Sequence, residues 1–210
     1  MYLLSLMGFT RTQKKKRRKK KKQRKEKKKR KKKMTEYIQQ FPSVIKQLKE
    51  WSELNEVEVL FDSRIHSWEK STSEFGTKVK GKKNVAIIIE DMDGNIFGGY
   101  IVEEIGEQNV WVEDFNAFLF SIESNRRIPQ PTKYPIKGDK AKHAFLIFDD
   151  DFEYLFQFGY GYDIVVCKQN HSTNFNSGVN ETSFGFQKIK NPLCSGKTFV
   201  ASRIVALEMK

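Results

Sequence analysis

The chain has 210 residues, with 39 Lys and Arg against 26 Asp and Glu, for a net charge of +13. Residues 1–33 hold 19 of the basic residues and one acid, Glu26, so residues 34–210 carry 20 bases against 25 acids and are mildly acidic. The composition excludes a disulfide framework, because Cys167 and Cys194 are its two cysteines and form no Cys-x-x-Cys pair, and it excludes a membrane-spanning helix, because no apolar run approaches the roughly 20 residues required.

The first apolar run, "MYLLSLMGF", is followed rather than preceded by its charges, and no small-residue cleavage pattern follows, so it is not expected to act as a secretion leader. The triplets Asn170-His171-Ser172 and Asn180-Glu181-Thr182 are accordingly not expected to be glycosylated. Next comes the block Lys14, Lys15, Lys16, Arg17, Arg18 through Lys31, Lys32, Lys33. Like charges at helical spacing repel, and a segment without apolar residues cannot offset the entropy of ordering, so residues 1–33 are expected to form a disordered polybasic arm. Met34 offers an alternative start that would leave the arm out. Residues 34–56 are expected to form an N-terminal helix and linker, and 57–210 a single domain.

Val44, Ile45, Leu48 and Trp51 recur at helical spacing behind Pro42 and predict a helix over about 42–53. Trp68, Thr72, Phe75 and Val79 predict a second helix between His66 and Lys80, with Ser71 and Glu74 at capping-box spacing and Gly81 to end it. After Lys83 the texture changes to strands. "NVAIIIED" and "IFGGYIVEEI" flank the turn "MDGN", where Asp93-Gly94 is a hairpin signal. In "NAFLFSI", Phe118, Phe120 and Ile122 share one face, Ala117, Leu119 and Ser121 the other, which predicts a half-buried strand. The proline-bearing "RRIPQPTKYPIKGDK" reads as a long surface loop, and "AFLIF", "EYLFQF", "DIVVC" and "RIVALEM" as further strands. Two helices followed by about six to eight strands give an α+β, mainly β class: two antiparallel sheets in a β-sandwich with flanking helices.

No catalytic residue, metal ligand or cofactor site is predicted. "SGKT" at Ser195–Thr198 lacks the first P-loop glycine, Asn191 standing there, and "FVASRIVALEM" after it reads as a strand rather than the required helix. "DMDG" places Gly94 too early for a calcium loop. Asp149, Asp150 and Asp151 with Glu153 could neutralise a hard cation, but a solvated turn is the simpler reading. His66, His143 and His171 lack partners at ligand spacing, and Cys167 reads as a buried inert thiol.

Four segments in order resemble the TLDc domain family: "SWEKSTSEFGTKVKGKKNVAIIIED", the hairpin "DGNIFGGYI", the strand "NAFLFSI" and "FGYGYDIVV". They place the family-motif positions at Gly94, Phe97, Gly98, Gly99, Asn116, Phe118, Phe120, Gly159, Gly161 and Asp163. Tyr160 interrupts a glycine run that is richer in other members. Physical roles follow for several positions: close backbone approach or a bulge at Gly98 and Gly99, aromatic burial of Phe118 and Phe120 against the facing sheet, a tight turn at Gly159 and Gly161, and local backbone donors satisfied by Asp163. The resemblance implies a non-enzymatic interaction module associated with oxidation resistance, whose protein partner is the vacuolar proton-pumping ATPase. The alternative assigns function to the arm, as nuclear targeting or as binding to nucleic acid or anionic membrane. A thiol or histidine enzyme using Cys167 ranks last. The implied location is cytoplasmic, or nuclear if the arm is translated.

Overall fold

The computed structural model describes residues 41–169, 177–178, 180–186 and 192–210, together with Lys16, Arg17, Lys20, Lys21 and Lys25. Those five cationic residues are helical and exposed, and the rest of the expected polybasic arm, residues 1–33, lies outside the described residues. Lys and Arg have high intrinsic helix propensity, and solvent screens their mutual repulsion. Lys14, Lys15, Arg18, Lys31, Lys32 and Lys33 lie outside the described residues, as do His171 and Asn170.

Residues 42–210 form one compact unit. It opens with α1 (Pro42–Ser52), where Val44, Ile45 and Leu48 make the buried stripe that the sequence spacing dictates. Then come β1 (Val57–Asp62), the short α2 (Phe75–Val79), β2 (Val85–Asp91), β3 (Ile96–Ile101), β4 (Phe118–Glu123) and β5 (Thr132–Pro135). A 3-10 helix (Gly138–His143) leads to β6 (Phe145–Ile147), β7 (Tyr154–Phe158), β8 (Ile164–Cys167), β9 (Ser177–Gly178), β10 (Thr198–Phe199) and β11 (Ala201–Met209). The first sheet has the order β1-β11-β2-β3-β4-β5 and the second β10-β9-β8-β7-β6, with every named pairing antiparallel.

The two sheets share one core. Ile87, Ile89, Phe97 and Leu119 of the first join Phe145, Phe156, Phe158 and Phe199 of the second. Phe97 meets Phe199 edge-on at 4.9 Å, a favoured geometry for aromatic pairs. Gly99 lies where a methyl group would collide with the Phe158 ring, so the absent side chain is what lets that ring reach β3. Its neighbour Gly98 has the opposite outlook. A methyl there would strike the backbone carbonyl of Ile87 and approach the Phe120 ring, the cross-strand partner of Gly98 on β4. Close approach is therefore realised at both glycines, while the register irregularity of this pair falls between Ile96 and Phe97.

Several expectations change. Phe118 and Phe120 do not pack on the facing sheet: Trp51 of α1 lies 6.0 and 5.9 Å from their rings, and Tyr100 stacks on Phe118 at 5.0 Å. Leu119 takes the core side instead. With α1 covering the other face, Phe118 through Ser121 are all buried, so β4 is not half-buried. The second helix shrinks to Phe75–Val79 because the capping box does not form: the Glu74 carboxylate accepts from the Ser67 amide at 3.1 Å, and Ser71 adopts φ 63°. β1 precedes that helix, where no strand was expected. The proline-bearing loop contains β5, which sits at the sheet edge where proline is tolerated.

Gly98→Ala is expected to destabilise more than Gly99→Ala, about 3 kcal/mol or more against about 1–3, because a ladder carbonyl cannot yield whereas a ring can tilt. Urea unfolding of the two variants measures this, and the reverse order would contradict the assignment of the close contacts.

Candidate functional site

The ten family-motif residues fall into two groups. Gly94 turns the β2–β3 hairpin at φ 82°, and the Asp91 carboxylate accepts from the amides of Asp93 and Asn95 at 3.0 and 2.8 Å. "DMDG" is thus a self-bonded turn. Phe97, Gly98, Gly99, Phe118 and Phe120 continue that group across β3 and β4, while Asn116 is exposed and its amide donates to Asp114 at 2.8 Å. Gly159, Gly161 and Asp163 form the second group, in the turn between β7 and β8. The Phe158 ring on Gly99 joins the two.

Asp163 organises its turn over a long range in sequence. Its carboxylate is wholly buried and accepts from the amides of Thr182, Ser183 and Phe184 at 2.9, 2.8 and 3.0 Å and from the Thr182 hydroxyl at 2.6 Å. The donors are therefore not local, as the sequence suggested, but lie 19–21 residues ahead. Gly159 takes φ 71°, and a side chain there would meet the same carboxylate; one at Gly161 would meet Thr182. Both glycines make room for this clamp.

Asp149–Asp151 form a turn that carries its own cation. Lys168 is buried, and its ammonium donates to the backbone carbonyls of Asp149 and Asp150 at 2.5 and 2.9 Å. Burial pushes this ammonium's pKa down, against the pull of the three aspartates. Asp149 accepts from Asn109 at 2.8 Å and from the Phe152 amide at 2.8 Å, and the Asn109 hydrogen bond comes first among the causes that hold its carboxyl below the ordinary range. Sequence reading missed Lys168 because an isolated lysine after an apolar strand gives no signal of burial.

A second missed group is Asp62, Glu90 and Arg203. Arg203 donates to both oxygens of Asp62, at 3.1 and 2.7 Å, and approaches Glu90 at 3.6 Å. Burial lifts the Glu90 carboxyl above its usual range, opposed by Arg203. Strand alternation alone could have flagged Arg203, a charge on an apolar strand.

Groups with nucleophilic or metal-binding chemistry are dispersed. Cys167 and Cys194 are buried, and burial raises the Cys194 thiol pKa. His66 is buried and accepts from the Asp62 amide through Nδ1 at 3.0 Å. His143 packs with Trp111 and with exposed Tyr160 at 5.1 and 5.0 Å. Among the described residues no group of three His, Cys, Asp or Glu could hold a metal ion. "SGKT" leads into β10 and β11, not into the helix whose N-terminus a P-loop requires.

The family profile described as the TLDc domain matches residues 30–208, most of the chain. No curated protein matches it.

Asp163→Asn replaces an acceptor by an amide that presents N–H to N–H, and is expected to cost about 3 kcal/mol or more. Urea unfolding checks the cost, and wild-type stability would show that the clamp does not hold the turn.

Proposed function

The chain belongs to the TLDc domain family, and on that premise we propose that it is a non-enzymatic interaction module that binds the vacuolar proton-pumping ATPase and acts in oxidation resistance. The observation that carries this reading is the employment of the motif residues. Gly98 and Gly99 admit a backbone carbonyl and rings, Gly159 and Gly161 make room for a turn, and Asp163 clamps it, so the motif specifies a scaffold rather than reacting groups. The β-sandwich reading rests on the core shared by the two sheets and on Phe158 against Gly99. A cytoplasmic location follows from that partner.

A second reading assigns the arm a role in binding nucleic acid or anionic membrane, supported by the exposed cations Lys16, Arg17, Lys20, Lys21 and Lys25. Six to ten phosphate contacts would lower the affinity of the full chain for duplex DNA about 10³–10⁵-fold between 50 and 200 mM salt. Filter binding at the two concentrations measures the slope, and a flat response removes this reading for nucleic acid. For the first reading, native affinity capture from cell extract is expected to recover pump subunits. Repeated captures without them would remove the pump as partner.

A further inference from the structure

The stretch "FDDDFEY", Phe148–Tyr154, alternates rings with acids, and its role is not exhausted by the scaffold. Phe148 and Phe152 stack at 4.7 Å, Tyr154 lies 5.5 and 5.6 Å from them, and Tyr162, from the next turn, meets Tyr154 at 6.0 Å. Phe152 and Tyr162 are 44% and 42% exposed, large fractions for aromatic side chains held in a cluster. Tyr162 is held at φ 59°, a left-handed conformation that a bulky residue adopts at a cost. Asparagine or glycine would meet that backbone demand more easily.

Acids outnumber bases beside these rings: Asp149, Asp150, Asp151 and Glu153 lie in the stretch, with Lys168 and Lys70 as the nearby cations. Asp150 and Asp151 are exposed, and their carboxylates accept from neutral donors, Gln108 at 3.2 Å and Ser71 at 3.1 Å. The same turn already draws one ammonium, that of Lys168, onto its backbone carbonyls. Aromatic faces with adjacent carboxylates attract guanidinium and ammonium groups, through the ring quadrupole and through charge-assisted hydrogen bonds.

We propose that Phe148, Phe152, Tyr154 and Tyr162, rimmed by Asp150 and Asp151, form a docking surface for a Lys/Arg-rich peptide segment of a partner protein. The proposal deepens the interaction-module reading and rests on it. Complementary charge favours this occupant over nucleic acid or an anionic membrane, which the carboxylates would repel.

The test is fluorescence anisotropy of a short fluorescein-labelled oligo-arginine peptide titrated with the full chain. Saturable binding is expected, weakened about three- to tenfold by Phe152→Ala or Tyr162→Asn and about tenfold or more by Asp150→Asn with Asp151→Asn. Tyr162→Asn removes the ring at a position whose backbone asparagine tolerates, so it keeps the test valid if Phe152→Ala fails to fold. Absent saturable binding, or equal affinity across the variants, overturns the proposal. So does an oligonucleotide probe whose binding Tyr162→Asn abolishes, or a self-association that the variants dissolve while peptide binding is unchanged. Capture of pump subunits without peptide binding would overturn this surface and leave the functional reading standing; peptide binding without pump subunits would do the reverse.

Discussion

Two adjacent residues without side chains permit the close packing around β3 on which the unit formed by residues 42–210 depends. Gly98 faces the helical layer, where the Phe120 ring lies over it, and Gly99 faces the second sheet, where the Phe158 ring presses against it. Because successive strand residues point to opposite faces, one dipeptide admits an aromatic ring from each side at the same level of β3. Trp51 then closes over Phe118 and Phe120 from α1, and Phe145 and Phe184 pack around Phe158 from the other side. A side chain at Gly99 would push the second sheet away from the first, and one at Gly98 would break into the β2–β3 ladder at the Ile87 carbonyl.

The polar interior is organised by a few anions that collect donors from distant chain segments. Asp163 gathers three consecutive amides of residues 182–184, and Asp114 accepts from Val102 at 2.6 Å as well as from Asn116. Asp62 receives the Arg203 fork while Glu90 lies on the neighbouring strand. Each exchanges contacts with water for fixed protein donors, so that losing the carboxylate would leave those donors unsatisfied. Such anchors suit a domain whose surface turns must present a fixed shape.

Much of this was legible in the sequence where the determinant is local. Asp93-Gly94 between two apolar runs marked the β2–β3 hairpin, and the stripe Val44, Ile45, Leu48 marked α1. The glycine pair was legible as a close approach. What escaped depends on distant partners. Alternation showed that Phe118 and Phe120 share a face but could not say whether a sheet or a helix covers it. Ser71 and Glu74 had the spacing of a cap, yet the Glu74 carboxylate turned to Ser67. The three prolines from residue 129 to 135 signalled a loop, and one of them, Pro135, ends an edge strand where a missing amide hydrogen costs little. Asp163 looked like a turn residue because its amide partners lie beyond the next strand.

The place of β11 bears on how the chain reaches this state. The last strand lies between β1 and β2, and the sheet order gives β1 no other neighbour. While the nascent chain is being synthesised, β1 and β2 must therefore wait for residues 201–209, holding apolar edges that are not yet paired. Closing this sheet joins segments about as far apart as the domain allows, a topology of high contact order that folds slowly and late. Before residues 201–209 are available, the β2–β3–β4–β5 meander is the part of the first sheet that can form, while the β1 edge stays without its partner.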